Sequence, residues 1–204
     1  MLRIIMSRER CFEDENRIVD AAIALICETG YEHFSTRHLA SRLGISPMTL
    51  YNYFSNKEEI VRVTIAAAHE KVLRYMQGEL RQHFEEPSRC PLLGYVEMGR
   101  LLLSYSRRCP KMYALVFMMN SAPPMDAEKL KDLYGYGFRK VAERLRDHSQ
   151  AEEIHRHIYL FEILVSALVP NMFNKNGPVA DATFETNLII AYDKLLKPFE
   201  VYIM

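Results

Sequence analysis

The stretch G-I-S-P-M-T-L-Y-N-Y-F-S-N-K-E-E, residues 44–59, decides how this chain is read. Gly44 closes a short segment with helical apolar spacing, and Ser46-Pro47 opens another. A serine can cap a helix by accepting an orphan amide, and proline at the first helical position forfeits only an amide that has no partner there. The spacing predicts a helix over 47–54. At 100° per residue Leu50 and Phe54 share a face, where they can meet Leu39, Ala40, Leu43 and Ile45. Met48 and Asn52 point the opposite way, flanked by Thr49 and Tyr51. That outward side is neither a charge run nor an apolar stripe. Its thioether, amide, hydroxyl and phenol groups suit base edges and phosphates.

Upstream, Ser35 or Thr36 can cap a helix over about 36–43 that Gly44 ends. Two short helices joined by a tight glycine turn form a helix-turn-helix unit, whose second helix enters a major groove while the first crosses the backbone. Residues 33–57 contain no Asp or Glu but carry Arg37, Arg42 and Lys57. Residues 1–60 hold seven basic and nine acidic side chains. Positive potential must therefore be confined to one surface, with a shallow salt dependence. From geometry alone, residues 36–54 could equally be two short core helices.

The remaining spacing is helical almost throughout. A first helix is expected over about 13–29, with Ile18, Ala22, Leu25 and Ile26 on one face and Glu13, Asp14 and Glu15 at the positive end of its dipole. A fourth should run from Lys57 to about His83, opened by Ser55-Asn56-Lys57-Glu58 as a capping box. Others follow over about 92–107, 110–120, 126–148, 150–169 and 182–200, with Pro170 ending or kinking the eighth. The expected fold is all-α with about nine helices. It has a three-helix head, residues 1–56, and a helical-bundle body, residues 57–204, joined through helix four.

Composition narrows the function classes. Of 204 residues 49% are hydrophobic and the formal net charge is zero, so a core is well supplied and no global charge points to a partner. No apolar run reaches about 18 residues, so no membrane partner is expected. L-R-I-I-M is too short for a secretory leader. Cys11, Cys27, Cys90 and Cys109 form no C-x-x-C pair, which fits a reduced, cytoplasmic protein. No G-x-S-x-G, phosphate-binding loop or dinucleotide glycines are present. His155, His157, Glu153 and Glu162 lack the H-E-x-x-H order, and the histidines are expected on a solvated helix face. Neither catalysis, a metal nor a cofactor is expected. A helical small-molecule carrier or enzyme without DNA binding is the alternative.

The run S-T-R-H-L-A-S-R-L-G-I-S-P-M-T-L-Y-N-Y-F-S-N-K-E-E-I resembles the signature of the tetracycline-repressor (TetR) family of bacterial transcription regulators. Thr36, Leu39, Ala40, Gly44, Ile45, Ser46, Thr49, Leu50, Tyr51, Tyr53, Phe54, Lys57 and Glu58 carry the match, and E-T-G-Y-E-H-F at 28–34 extends it. The likeness spans roughly residues 16–65; the rest matches only in being helical and of the right size. It implies a homodimer on a near-palindromic double-stranded DNA operator. Thr36, Tyr51, Tyr53 and Lys57 would then clasp phosphates, Arg37, Pro47, Met48, Thr49 and Asn52 would lie near base edges, and Ser46 would belong to the same DNA-binding set. It also implies an effector bound in the body that releases DNA, with repression as the family default.

In the body, Ile154, Ile158, Phe161, Val165 and Leu168 share one face of the eighth segment, while Tyr159, Leu160, Ile163 and Leu164 make it apolar nearly all round. The ninth repeats this with Phe184, Leu188, Ala191, Leu195 and Phe199, plus Ile189, Ile190, Tyr192 and Leu196. A helix apolar on two sides needs its own core and a second cover. Deep burial within a monomer would also satisfy it. The resemblance favours an intersubunit four-helix bundle, with Ile158, Phe161, Val165, Leu168, Leu188, Ala191, Leu195 and Phe199 at the interface. Tyr105, Tyr113, Phe117, Met118, Tyr134 and Phe138 are candidates for a largely apolar effector pocket, although such side chains are also ordinary core.

Overall fold

The computed structural model describes residues 2–118, 135–172 and 180–204. The helices are α1 (Leu2–Thr29), α2 (Thr36–Leu43), α3 (Pro47–Leu50), α4 (Lys57–Glu85), α5 (Leu93–Arg108), α6 (Pro110–Tyr113), α7 (Tyr136–Glu143), α8 (Ala151–Asn171) and α9 (Asp181–Leu195). No strand occurs among the described residues; an isolated antiparallel bridge pairs Leu145 with Ile203. The chain is all-α. No described helix is long and apolar enough to cross a membrane.

Several boundaries differ from expectation for local reasons. α1 begins at Leu2 rather than near residue 13, because no glycine or proline precedes Gly30 to stop it. The segment expected as a helix over 110–120 is α6 followed by a π turn, Ala114–Met118. α7 ends at Glu143 because Arg144 leaves helical geometry. α8 runs on to Asn171 with Pro170 in its last turn. α9 stops at Leu195 and gives way to a 3₁₀ segment, Lys197–Tyr202, with Pro198 near its start, where the missing amide cannot extend an α-helix. The break expected at Ser121–Pro124 and the helix start expected at 126 lie outside the described residues.

The chain divides into two compact units: Met1–Val72 with Arg108–Met125, and Leu73–Arg107 with Asp126–Met204. The packing boundary thus falls within α4 rather than at its start. In the first unit, Ile18, Ala22, Leu25, Ile26, Leu39, Leu50, Phe54, Ile60 and Ile65 form the core. α1 packs on α2 and on α6. Lys111 Nζ donates to the carbonyl of Glu28, and the Glu28 carboxylate accepts two bonds of 2.6 Å from the Arg42 guanidinium. Tyr113 and Phe117 are ring neighbours at 5.0 Å, and Phe117 meets His69 edge-on at 5.9 Å.

In the second unit α8 packs on α9, and α5 lies close enough that a Cβ on Gly99 would fall 2.7 Å from Leu188 and 3.3 Å from Val165. Arg100 bridges Glu97 and Glu185, and Arg107 pairs with Asp181. The interface residues expected from sequence are corrected by this packing. Ile158, Phe161, Val165, Leu188, Ala191 and Phe199 are buried in the chain's own core, and Leu168 and Leu195 are half-buried. The apolar face left uncovered is the other one: Tyr159, Leu160, Ile163 and Leu164 of α8 with Ile189 and Ile190 of α9. Periodicity revealed two apolar sides but not which of them the α5 glycine would approach.

Candidate nucleic-acid interface

The interface is built from its caps. Ser35 Oγ accepts the His38 amide at 3.1 Å and starts α2. Gly44 takes φ 68°, the left-handed conformation that other residues adopt only at a cost. Around it the Gly44 amide reaches Ser41 and the Ile45 amide reaches Ala40, which satisfies the last carbonyls of α2 as a Schellman motif. Ser46 Oγ then accepts the Thr49 amide at 3.1 Å, with Pro47 at the start of α3. The regular helix covers only 47–50, rather than 47–54. Beyond it the amides of Tyr51, Asn52 and Tyr53 bond three residues back, so the last part is a tightened 3₁₀-like turn. The Phe54 amide returns to Leu50.

This turn still sorts the side chains as the spacing requires. Leu50 and Phe54 are buried, as are Leu39 and Ala40. Met48 is 74% exposed and Asn52, Pro47 and Ser46 are exposed. Thr49 is half-buried, and its hydroxyl lies 2.9 Å from that of Ser46. The Tyr51 hydroxyl points to Thr36 Oγ1 at 3.5 Å, so two expected phosphate ligands from α2 and α3 converge. Arg37 and Lys57 are exposed. Tyr53 is half-buried and donates to Asp14 Oδ2 at 3.1 Å, an α1 partner that the sequence did not suggest.

The electrostatics also depart from the sequence. Arg42 counted toward the positive footprint, yet its guanidinium is held by Glu28. That hydrogen bond keeps the Glu28 carboxyl below its usual range and raises Arg42. The remaining cations of residues 33–57 are Arg37 and Lys57. α4 does begin at Lys57, but its cap sits one residue later than expected. Asn56 Oδ1 accepts the Glu59 amide at 2.8 Å, and Glu59 Oε2 accepts the Ser55 amide at 2.6 Å. The backbone bond from Ser55 is the main reason the Glu59 carboxyl is lowered.

The other candidates are dispersed. Tyr113 and Phe117 belong to the first unit, and Tyr105 and Phe138 to the second. Tyr105 neighbours Tyr75 at 5.8 Å, and Phe138 stacks on exposed His155 at 4.4 Å. Tyr134 and the Met118 side chain lie outside the described residues. His157 is not on a solvated face: it is half-buried, its Nδ1 donates to the Leu195 carbonyl at 3.1 Å, and its ring meets Phe199. Among the described residues no group of His, Cys, Asp and Glu could hold a metal ion.

Capped helices, a left-handed glycine turn and an outward polar face define a helix-turn-helix head. Residues 18–64 match the profile of the bacterial regulatory proteins, tetR family. The chain is 39% identical over 70 residues to the tetracycline repressor protein class D of Escherichia coli, covering 33% of this chain and 32% of that one. Over 117 residues it is 26% identical to the uncharacterized HTH-type transcriptional regulator YvkB of Bacillus subtilis strain 168, covering 56% of this chain and 61% of the relative. The chain thus spans less than two thirds of the length of these relatives. The crystal structure of RolR with its ligand resorcinol shares the fold, with a TM-score of 0.61 at 15% identity over 93% of this chain and 90% of that one.

Proposed function

We propose that the chain is a ligand-responsive transcriptional regulator, a repressor by family habit, acting in the cytoplasm as a homodimer on a near-palindromic DNA operator. The observation that carries this reading is the outward side of 47–52. Met48 and Asn52 stand free at a capped helix start while Leu50 anchors its back. Asn52 can pair with adenine, and Met48 can touch a thymine methyl. The Thr36–Tyr51 hydroxyls and Lys57 then take phosphates. Residues 1–56 read DNA, and residues 57–204 dimerise and sense the effector.

The uncovered face of α8 and α9 supports the dimer. It is a contiguous apolar surface of the kind that soluble monomers rarely leave in water. A relative named for tetracycline and a fold neighbour that holds resorcinol support a small organic effector, and the apolar, Met-containing and aromatic candidates of the body suit a largely apolar one. The test is selection of bound sequences from random duplexes. A regulator enriches a near-palindrome with half-sites about 34–36 Å apart. Enrichment of nothing would leave a helical carrier or enzyme.

A further inference from the structure

The polar groups of the head do not stand equally ready for phosphate. The Tyr51 hydroxyl faces the neutral Thr36 hydroxyl at 3.5 Å, and Lys57 is exposed. Tyr53 differs. Its amide and that of Phe54 both return to the Leu50 carbonyl at 3.1 Å, which fixes the turn with Phe54 buried and the Tyr53 ring half-buried. From there the Tyr53 hydroxyl donates to Asp14 Oδ2 of α1 at 3.1 Å. The other carboxylate oxygen, Oδ1, has Arg17 at 3.8 Å, in a pair whose side chains are both open to water. An ion pair that long and open contributes little, so the phenol holds the firmer bond. α1 treats a cation of α2 in the same way: Glu28 holds Arg42 with two bonds of 2.6 Å.

A phenol carries one proton, so its oxygen donates to one anion at a time. A DNA phosphate and the Asp14 carboxylate need that same proton. We propose that Asp14 is a built-in rival of the DNA backbone: it holds the Tyr53 hydroxyl, and a duplex gains that contact only by displacing a fixed anion. Phosphate must break one charge-assisted bond to form an equivalent one, which cancels most of the gain. It must also settle beside a like charge that has lost its donor. The chain therefore binds duplexes less tightly than its side chains allow. The deficit falls on all sequences alike, because phosphates carry no sequence information. A weaker hold on bulk DNA leaves more of the affinity to the side chains that read bases. The inference rests on the DNA-binding reading proposed above.

Because the contact is to phosphate, a labelled random-sequence duplex serves as the probe, titrated with the full chain at fixed salt and followed by fluorescence anisotropy. Asp14→Ala should tighten binding about tenfold. In the Tyr53→Phe background the same substitution should gain only about two- to threefold, the share due to lost charge alone. Asp14→Asn removes the charge but keeps an acceptor for the phenol, so its gain should match that smaller value. Unfolding would weaken binding and so cannot imitate a gain, and the nearly isosteric Asp14→Asn reports the sign if Asp14→Ala does not fold. No gain in either variant, or a gain of equal size with and without the Tyr53 hydroxyl, overturns the proposal. If the native chain binds duplexes and these gains fail, only this inference falls. If neither the native chain nor any variant binds a duplex, the regulator reading falls with it.

Discussion

Two parts of the molecule leave large apolar side chains in water, and they do so differently. On α3 the exposed apolar side chain is Met48, set between Pro47 and the polar Thr49 and Asn52. On α8 and α9, Tyr159, Leu160, Ile163, Leu164, Ile189 and Ile190 lie on one pair of packed helices. An isolated methyl among polar groups can be matched one position at a time, as base edges require. A contiguous patch can only be covered. The first surface suits a partner whose sequence matters, and the second a partner whose shape repeats its own.

The strongest way to break this contrast is to charge the patch. Leu160→Glu with Ile190→Glu should turn a dimer into a folded monomer in analytical ultracentrifugation. Operator affinity should drop about a hundredfold or more, because linked half-sites gain that much over single ones. A variant that stays dimeric would place the interface elsewhere.

The inner flank of α8 gives the next effect. Burial raises the Glu162 carboxyl from 4.5 to about 7, so between those values the folded chain holds a proton that the unfolded chain releases. The contribution of this group to stability is therefore greatest below 4.5 and falls as pH rises to 7, by about 3 kcal/mol. Chemical denaturation across that range should show the stability of the native chain relative to Glu162→Gln falling as pH rises; a constant difference would remove the burial of this carboxyl as its cause.

On the reading surface, Asn52→Ala should relax preference at one base pair and cost about 1–3 kcal/mol there. Unchanged base preference in a selection would remove Asn52 from the readers. Glu28→Gln should change least. The pair it breaks is exposed, so the melting temperature should barely move. The freed Arg42 should steepen the salt dependence of DNA binding by about one unit; an unchanged slope would mean that Arg42 faces away from the duplex.

Much of the head could be read from the sequence because its signals are local. Ser35, Gly44, Ser46 and Pro47 each act within a turn of the chain, and α2 falls where those residues put it. The early end of α3 could not be read, since three-residue and four-residue bonding share one apolar spacing. Nor could the Tyr53–Asp14 and Arg42–Glu28 pairs, whose partners are 39 and 14 residues apart. In the body, the spacing predicted two-sided helices correctly, but the residues expected at an interface between copies lie buried or half-buried within the chain's own packing. Side-choice depends on what packs from α5, and Gly99 gives no sign of this until the fold is known. Glu162 was visible only as one acid among the histidines of that helix, and the burial that raises its carboxyl was not.

One residue ties the head together from behind. The backbone carbonyl of Glu28 takes the Lys111 ammonium, while its carboxylate takes Arg42 at the tail of α2. The final turn of α1 therefore cannot unravel without letting go of two other segments at once. The end of α1, the tail of α2 and the stretch that begins at Pro110 thus meet at a single side chain and its carbonyl, and a displacement of any one of them changes the partners of the other two.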